Sequence, residues 1–184
     1  MNDRIEFRFS GSGGQGLILA GIILADAAAI YEDKNAVQTQ SYGPEARGGS
    51  SKSEVIVSDS PIEYPKATKV DYMVALTQES FNKYIDDVKE TGIVIADKEL
   101  VTDFSKARGK LYVIDMVKSA REELGKVLGL NIIALGVLVE ISGIVSHESI
   151  KNALIKRVPS GFEDYNKKAI EIGFKLGKEI KNNN

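Results

Sequence analysis

Apolar and polar positions alternate near the start of the chain. Ile5, Phe7 and Phe9 are separated by Glu6 and Arg8, and a period of two predicts a strand. After SGSGGQG (Ser10–Gly16), the run LILAGIILADAAAIYED predicts a helix from about Gly16 to Glu32. NAVQTQ (35–40) predicts a short second strand and KSEVIVS (52–58) a third. SYGPEARGGS between them is loop, because Gly43-Pro44 and Gly48-Gly49 break regular structure. VDYMVALT (70–77), GIVIAD (92–97) and KLYVID (110–115) are further strands. QESFNKYIDDV (78–88) reads as helix with Thr77 as its N-cap. The last third predicts helices near 116–125, 130–142, 146–157 and 161–181, and both Ser119–Glu122 and Ser160–Glu163 have capping-box spacing.

Strands alternating with helices predict an α/β fold, a three-layer α/β/α sandwich around a mostly parallel or mixed central sheet with a helical C-terminal third. The hairpin-like 35–58 region argues for a mixed sheet. The 184 residues fit one domain, 1–184, long enough to bury roughly 70% of the unfolded surface.

Two predicted helices lack a polar face. Residues 17–30 carry only Asp26 and residues 130–141 only Glu140, whereas a surface helix is amphipathic. Either they are buried within the chain or they pack against another chain. In the final helix Phe162, Tyr165, Ala169, Ile172, Leu176 and Ile180 recur at helical spacing, with Gly173 and Gly177 one turn apart. Glycine costs up to about 1 kcal/mol in a helix interior, so the pair predicts a close approach by another backbone.

Composition narrows the chemistry. The net charge is −2 with a pI near 5.6, which leaves no bulk basic excess for nucleic acid or anionic lipid. The absence of cysteine excludes disulfides, thiol catalysis and cysteine-ligated clusters in this chain. MNDRIEFRFS has no signal-peptide core, and the apolar run Leu17–Ala25 falls short of the ~20 residues that span a bilayer, so the expected location is cytoplasmic. The one histidine, His147, makes neither a metal site nor a triad; it belongs at a helix start, exposed or in a capping turn. Asp97 and Asp115 end strands and are expected in turn or capping roles. Asp86-Asp87 reads as a solvated pair, and Lys167-Lys168 as part of a polar face.

Gly11-Ser12-Gly13-Gly14-Gln15-Gly16 matches G-x-G-x-x-G between a strand and a helix. Glycine lets a ligand reach the main chain, and the helix start offers free N–H groups and a positive dipole end to an anion. A tight strand–helix turn without ligand stays open. NAD by its usual grip requires an acid at the end of the second strand, where this chain has VQTQS (37–41). A Walker loop requires Lys-Ser/Thr after the last glycine, and Leu17-Ile18 stand there. A phosphate, diphosphate or carboxylate ligand survives. In SYGPEARGGS, Arg47 sits among glycines and can fork onto a carboxylate or phosphate; a plain surface turn is the alternative.

Together, FSGSGGQGLILAGIILADAA and QTQSYGPEARGGSSKSEVIVSD resemble the gamma subunit of 2-oxoacid:ferredoxin oxidoreductases. The likeness continues through VDYMVALTQESFNKY, GIVIAD and NIIALGVLVEISG, over nearly the whole chain. It implies a stand-alone form of a domain found in the fused pyruvate enzymes, with a three-layer α/β/α fold and a part in binding coenzyme A. It implies alpha and beta partner subunits, a ferredoxin-like delta subunit where the complex has one, and ferredoxin as electron acceptor. Thiamine diphosphate with Mg2+ and the [4Fe-4S] clusters would belong to the partners, and the isolated chain would be inactive. The SYGPEARGG wording is most similar to the 2-oxoglutarate enzymes; a pyruvate or branched-chain gamma subunit, a stand-alone nucleotide- or CoA-binding protein and a purely structural subunit are the alternatives. Carried over by motif, Ser10–Gly16 would form the phosphate-facing loop, with Gly11, Ser12, Gly13, Gly14, Gln15 and Gly16 as its binding residues. Tyr42, Gly43, Glu45, Arg47, Gly48 and Gly49, with Pro44, would face CoA or the partner's active site, Arg47 recognising charge. No residue is assigned as catalytic acid or base.

Overall fold

The computed structural model describes residues 4–41 and 49–182. The sheet has six strands in the order β2-β3-β1-β4-β5-β6. They are β1 (Ile5–Ser12), β2 (Asn35–Ser41), β3 (Ser50–Ser58), β4 (Val70–Ala75), β5 (Val88–Asp97) and β6 (Lys110–Ile114). β1, β4, β5 and β6 run parallel, while β3 is antiparallel to both β1 and β2. The predicted hairpin is therefore real, and the sheet is mixed.

The helices are α1 (Leu17–Tyr31), α2 (Gln78–Tyr84), α3 (Met116–Leu124), α4 (Leu130–Ser142), α5 (His147–Arg157) and α6 (Glu163–Asn182). The layers are unequal. Phe7, Phe9, Val55, Val57, Val74 and Ile95 share one core with α1, α3, α4, α5 and α6. On the other face, α2 and the loop after β5 cover Met73, Ala75, Val94 and Ala96. The predicted 78–88 helix is shorter than expected: it ends at Tyr84, a 3-10 turn holds Ile85–Asp87, and Val88 already begins β5.

The alternation in β1 hides a second feature. Phe7 and Phe9 point into the larger core, but the charged positions between them are buried as well, because β1 is central and covered on both faces. Arg8 is 1% exposed. It lies opposite Glu54 of β3 and donates to Glu54 Oε1 through Nε (2.9 Å) and Nη2 (2.6 Å). Its Nη1 reaches Asp87 Oδ2 at 2.7 Å. Asp87 is thus an ion-pair partner of a buried arginine, not a solvated acid; Asp86 pairs at the surface with Arg108. A buried charge is tolerated only when paired and hydrogen-bonded.

The two apolar helices have different explanations. Every residue of α4 from Leu130 to Val139 is buried, enclosed by α6, α3, α1 and β4. Internal packing accounts for it. α1 turns Asp26 toward α5, where it pairs with Arg157, and leaves Ile30 60% exposed. The close approach that Gly173 and Gly177 predict is internal too. Gly173 meets Gly136 of α4, whose added Cβ would lie 2.6 Å from the Ile170 oxygen. A Cβ on Gly173 would run into the Ile133 oxygen, and one on Gly177 would lie 2.8 Å from Glu140 Cβ. Phe162 departs from the expected stripe: it precedes α6 and is 48% exposed.

Capping follows chemistry more than spacing. Thr77 accepts from Ser80 N as expected, and Ser146, not singled out by the sequence, accepts from Ser149 N. Ser119 lies inside α3 and donates to the Asp115 oxygen. Glu163 reaches Gly161 N at 2.7 Å, not the Ser160 N–H that a capping box requires. His147 opens α5, as expected; its ring stacks on Phe174 at 3.7 Å and contacts Glu140 at 2.8 Å.

Gly173→Ala should lower stability by at least about 2 kcal/mol, since the α4–α6 crossing must widen. Urea unfolding measures it; a change under about 0.5 kcal/mol would show that the crossing yields freely.

Candidate functional site

β1 ends in the glycine loop, and β3 begins beside it. The antiparallel register puts Ser50 opposite Ser12 and Ser51 opposite Gly11. Ser41, the last residue of β2, pairs with Lys52. The ends of both sequence motifs therefore meet at one edge of the sheet, at the carboxyl ends of the parallel strands β1 and β4. That is where ligands bind in open α/β sheets. Tyr42, Gly43, Pro44, Glu45, Arg47 and Gly48 lie outside the described residues; Gly49 lies at the mouth of β3.

Within the glycine loop the residues divide. Gly13 and Gly14 are exposed at the turn. Gly14 (φ 89°) and Gly16 (φ 73°) adopt the left-handed conformation that glycine accepts at little cost. Gly13 has no such φ, and nothing stands within 4 Å of an added Cβ. Gln15 looks inward: Oε1 accepts from Ser12 N at 2.7 Å and Nε2 donates to the Leu76 oxygen at 3.2 Å. Gly11 lies beneath that amide, and a Cβ there would collide with Gln15 Oε1. Gly11 and Gln15 brace the loop, while Gly13 and Gly14 present main chain to the outside.

Gly16 caps α1 without any side-chain acceptor for the first turn. Its own carbonyl is held by Asn131 Nδ2 of α4 at 3.0 Å, and a Cβ on Gly16 would lie 2.5 Å from that nitrogen. Asn131 is 7% exposed. Outside this contact a cleft of about 480 Å³ opens between Gly14–Gly16, the 127–131 turn before and into α4, and the Val158–Phe162 turn before α6. Leu128 (68% exposed) and Phe162 stand at its rim. Among the described residues its lining has no charged side chain. The sequence did not point to this cleft, because its walls come from three distant turns of ordinary composition.

Asp97 resembles a catalytic acid by position, at the carboxyl end of β5, but its oxygens are occupied. It is fully buried. Oδ1 accepts from Glu99 N (2.9 Å) and Leu100 N (3.1 Å), and Oδ2 from Val117 N (2.8 Å). It fastens the turn after β5 and the start of α3, as expected for a turn and capping role. Burial pushes its carboxyl above the ordinary value, outweighing the three N–H donors. Asp115, at the α3 cap, makes no side-chain cap bond and pairs with Lys98 at 3.5 Å. Among the described residues no group of three or more His, Asp or Glu could hold a metal, and no helix is long and apolar enough to cross a membrane.

The sequence model of pyruvate ferredoxin/flavodoxin oxidoreductases matches residues 6–176. The chain belongs to this family. It is 49% identical to the 2-oxoglutarate synthase subunit KorC of Methanocaldococcus jannaschii, over 96% of each chain. The crystal structure of a keto/oxoacid ferredoxin oxidoreductase gamma subunit from Geobacter sulfurreducens PCA superposes with a TM-score of 0.88 at 46% identity, over 96% of this chain and 97% of that one. The 2-oxoglutarate:ferredoxin oxidoreductase of Magnetococcus marinus, solved with 2-oxoglutarate, coenzyme A and succinyl-CoA bound, contains the same fold (TM-score 0.85, 22% identity) in 32% of its chain, covering 97% of this one.

Asp97→Asn should show the raised carboxyl directly. A folded-state pKa above the unfolded value contributes stability fully below the unfolded pKa, near pH 4, and loses it as the pH rises through the folded value. The advantage of wild type over Asp97→Asn should therefore shrink from pH 4 upward, on top of a constant loss of about 1–3 kcal/mol where the new NH2 or the Val117 N–H goes unpaired. Urea unfolding from pH 4 to 7 measures this. An advantage that grows with pH would contradict it.

Proposed function

We propose that this chain, acting as one domain, is the gamma subunit of a 2-oxoglutarate:ferredoxin oxidoreductase. In that reaction 2-oxoglutarate, coenzyme A and oxidised ferredoxin give succinyl-CoA, carbon dioxide and reduced ferredoxin. The observation that carries the substrate is the 49% identity, end to end, to a 2-oxoglutarate synthase subunit. The partners are alpha and beta subunits, with a ferredoxin-like delta subunit where present, in the cytoplasm. Thiamine diphosphate supplies the carbanion chemistry when bound, and it belongs to those partners with its Mg2+. The [4Fe-4S] clusters belong there too, since this chain offers no cysteine.

The role of this chain is to help hold coenzyme A at the edge where β1 ends and β3 begins. The exposed Gly13–Gly14 turn and the uncapped start of α1 suit an approaching phosphate. The uncharged cleft beside them suits the uncharged part of the same ligand. The cleft brings no cation of its own, so charge recognition falls to the second loop, and to Arg47 in particular. Gly11 and Gln15 support the cradle from beneath.

The isolated chain should be inactive with oxoacid, CoA and an electron acceptor. The assembled complex should prefer 2-oxoglutarate over pyruvate by more than about tenfold in kcat/KM. A pyruvate preference would overturn the substrate. In the complex, Arg47→Ala should raise the KM for CoA about tenfold or more. Gly13→Ala, which the free chain accommodates without strain or collision, should raise it as well. Unchanged KM values in both variants would overturn the CoA role.

A further inference from the structure

α2 touches both halves of the site. It starts from the strand end that Gln15 grips: Leu76 N donates to the Ser10 oxygen at 2.9 Å, the Leu76 oxygen receives Gln15 Nε2, and Thr77 caps the helix. From its first turn Glu79 accepts from Ser50 Oγ at 2.6 Å. From its last turn Tyr84 OH approaches the Ser50 oxygen at 3.4 Å. Ser50 is the first residue of β3, 2% exposed and paired with Ser12. A short hydroxyl–carboxylate bond of this kind is charge-assisted and about twice as strong as a neutral one.

Tyr84 is itself fixed. Its ring lies against Arg8 (5.2 Å) and Lys52 (5.5 Å). Lys52 Nζ and Arg8 meet on the same Glu54 oxygen. Lys83 adds a third cation at 5.5 Å. The buried charges thus hold the helix, and the helix holds the mouth of β3.

We infer that α2 is a clamp that sets the spacing between the glycine loop and the start of β3, with Glu79 and Tyr84 as positioning residues for ligand binding. Glu79 touches Ser50, not the ligand, and acts by keeping Ser50 and Ser12 in register. This inference rests on the reading that coenzyme A binds beside the end of β1 and the start of β3.

The test uses the assembled complex and two readouts, the KM and kcat for CoA and amide hydrogen exchange across residues 10–12 and 50–53. Glu79 is exposed, so Glu79→Ala should fold. It should speed exchange in both segments and raise the KM for CoA about three- to tenfold, with kcat within about twofold. Ser50→Ala, which breaks the same bond from the other side, should match it, and the double variant should be no worse than either. Glu79→Gln keeps an acceptor and should stay within about twofold of wild type. Faster exchange with an unchanged KM, additive effects in the double variant, or a fall in kcat of more than about twofold would overturn the positioning role. Gly13→Ala in the same assay separates the two readings. If it raises the KM and Glu79→Ala does not, only the clamp fails; if neither does, the CoA reading fails with it.

Discussion

The carboxyl end of β1 depends on one side chain. Gln15 turns back over Gly11 and joins Ser12 N to the Leu76 oxygen. Without it the end of β1 and the end of β4 would present an unpaired donor and acceptor where the chain leaves the sheet, and buried main-chain groups seldom go unpaired. With it the loop is short, pinned at Ser12 and Leu76, and open on its outer side at Gly13 and Gly14. Glycine is needed beneath the amide at Gly11 and at the left-handed Gly14 and Gly16. The loop can thus be read as two layers, a brace of Gly11 and Gln15 and a presenting surface of Gly13 and Gly14.

The same end of the sheet is held from the helical side. The Gly136–Gly173 contact lets α6 lie directly on α4. α4, buried along Leu130–Val139, brings Asn131 to the Gly16 carbonyl. On the opposite face α2 and the Arg8–Glu54–Lys52 group fix the start of β3. The two faces use different chemistry: close apolar packing on one, paired buried charge on the other. Removing one member of a buried ion pair typically costs about 3–5 kcal/mol, so the charged face is the less forgiving of the two.

Much of this was legible in the sequence. Period-two and helical runs located all six strands and the helices, and the two motifs gave the resemblance that family membership bears out. The unread features are those that depend on where the chain returns. The burial of Arg8 is not in the pattern, because alternation carries no information about a second covering layer. Asp87 reads as solvated because its partner, Arg8, lies far back in the chain on β1. Ser119–Glu122 and Ser160–Glu163 have the spacing of a capping box, but the helix starts are set at Met116 and Glu163. Gly173 and Gly177 announced a close approach without naming the partner, which proved to be α4. Gln15 belongs to the loop by motif, and the bonds of its amide to Ser12 N and the Leu76 oxygen depend on where β4 ends, which the motif does not record.

Hydrogen exchange of the assembled complex, with and without coenzyme A, tests the central claim most directly. The account predicts that CoA slows exchange in residues 10–16 and in residues 41–53 together, at matching ligand concentration, and leaves α5 and α6 unchanged. Slowing confined to some other surface, with both loops unaffected, would contradict the claim that the two motifs form one binding edge.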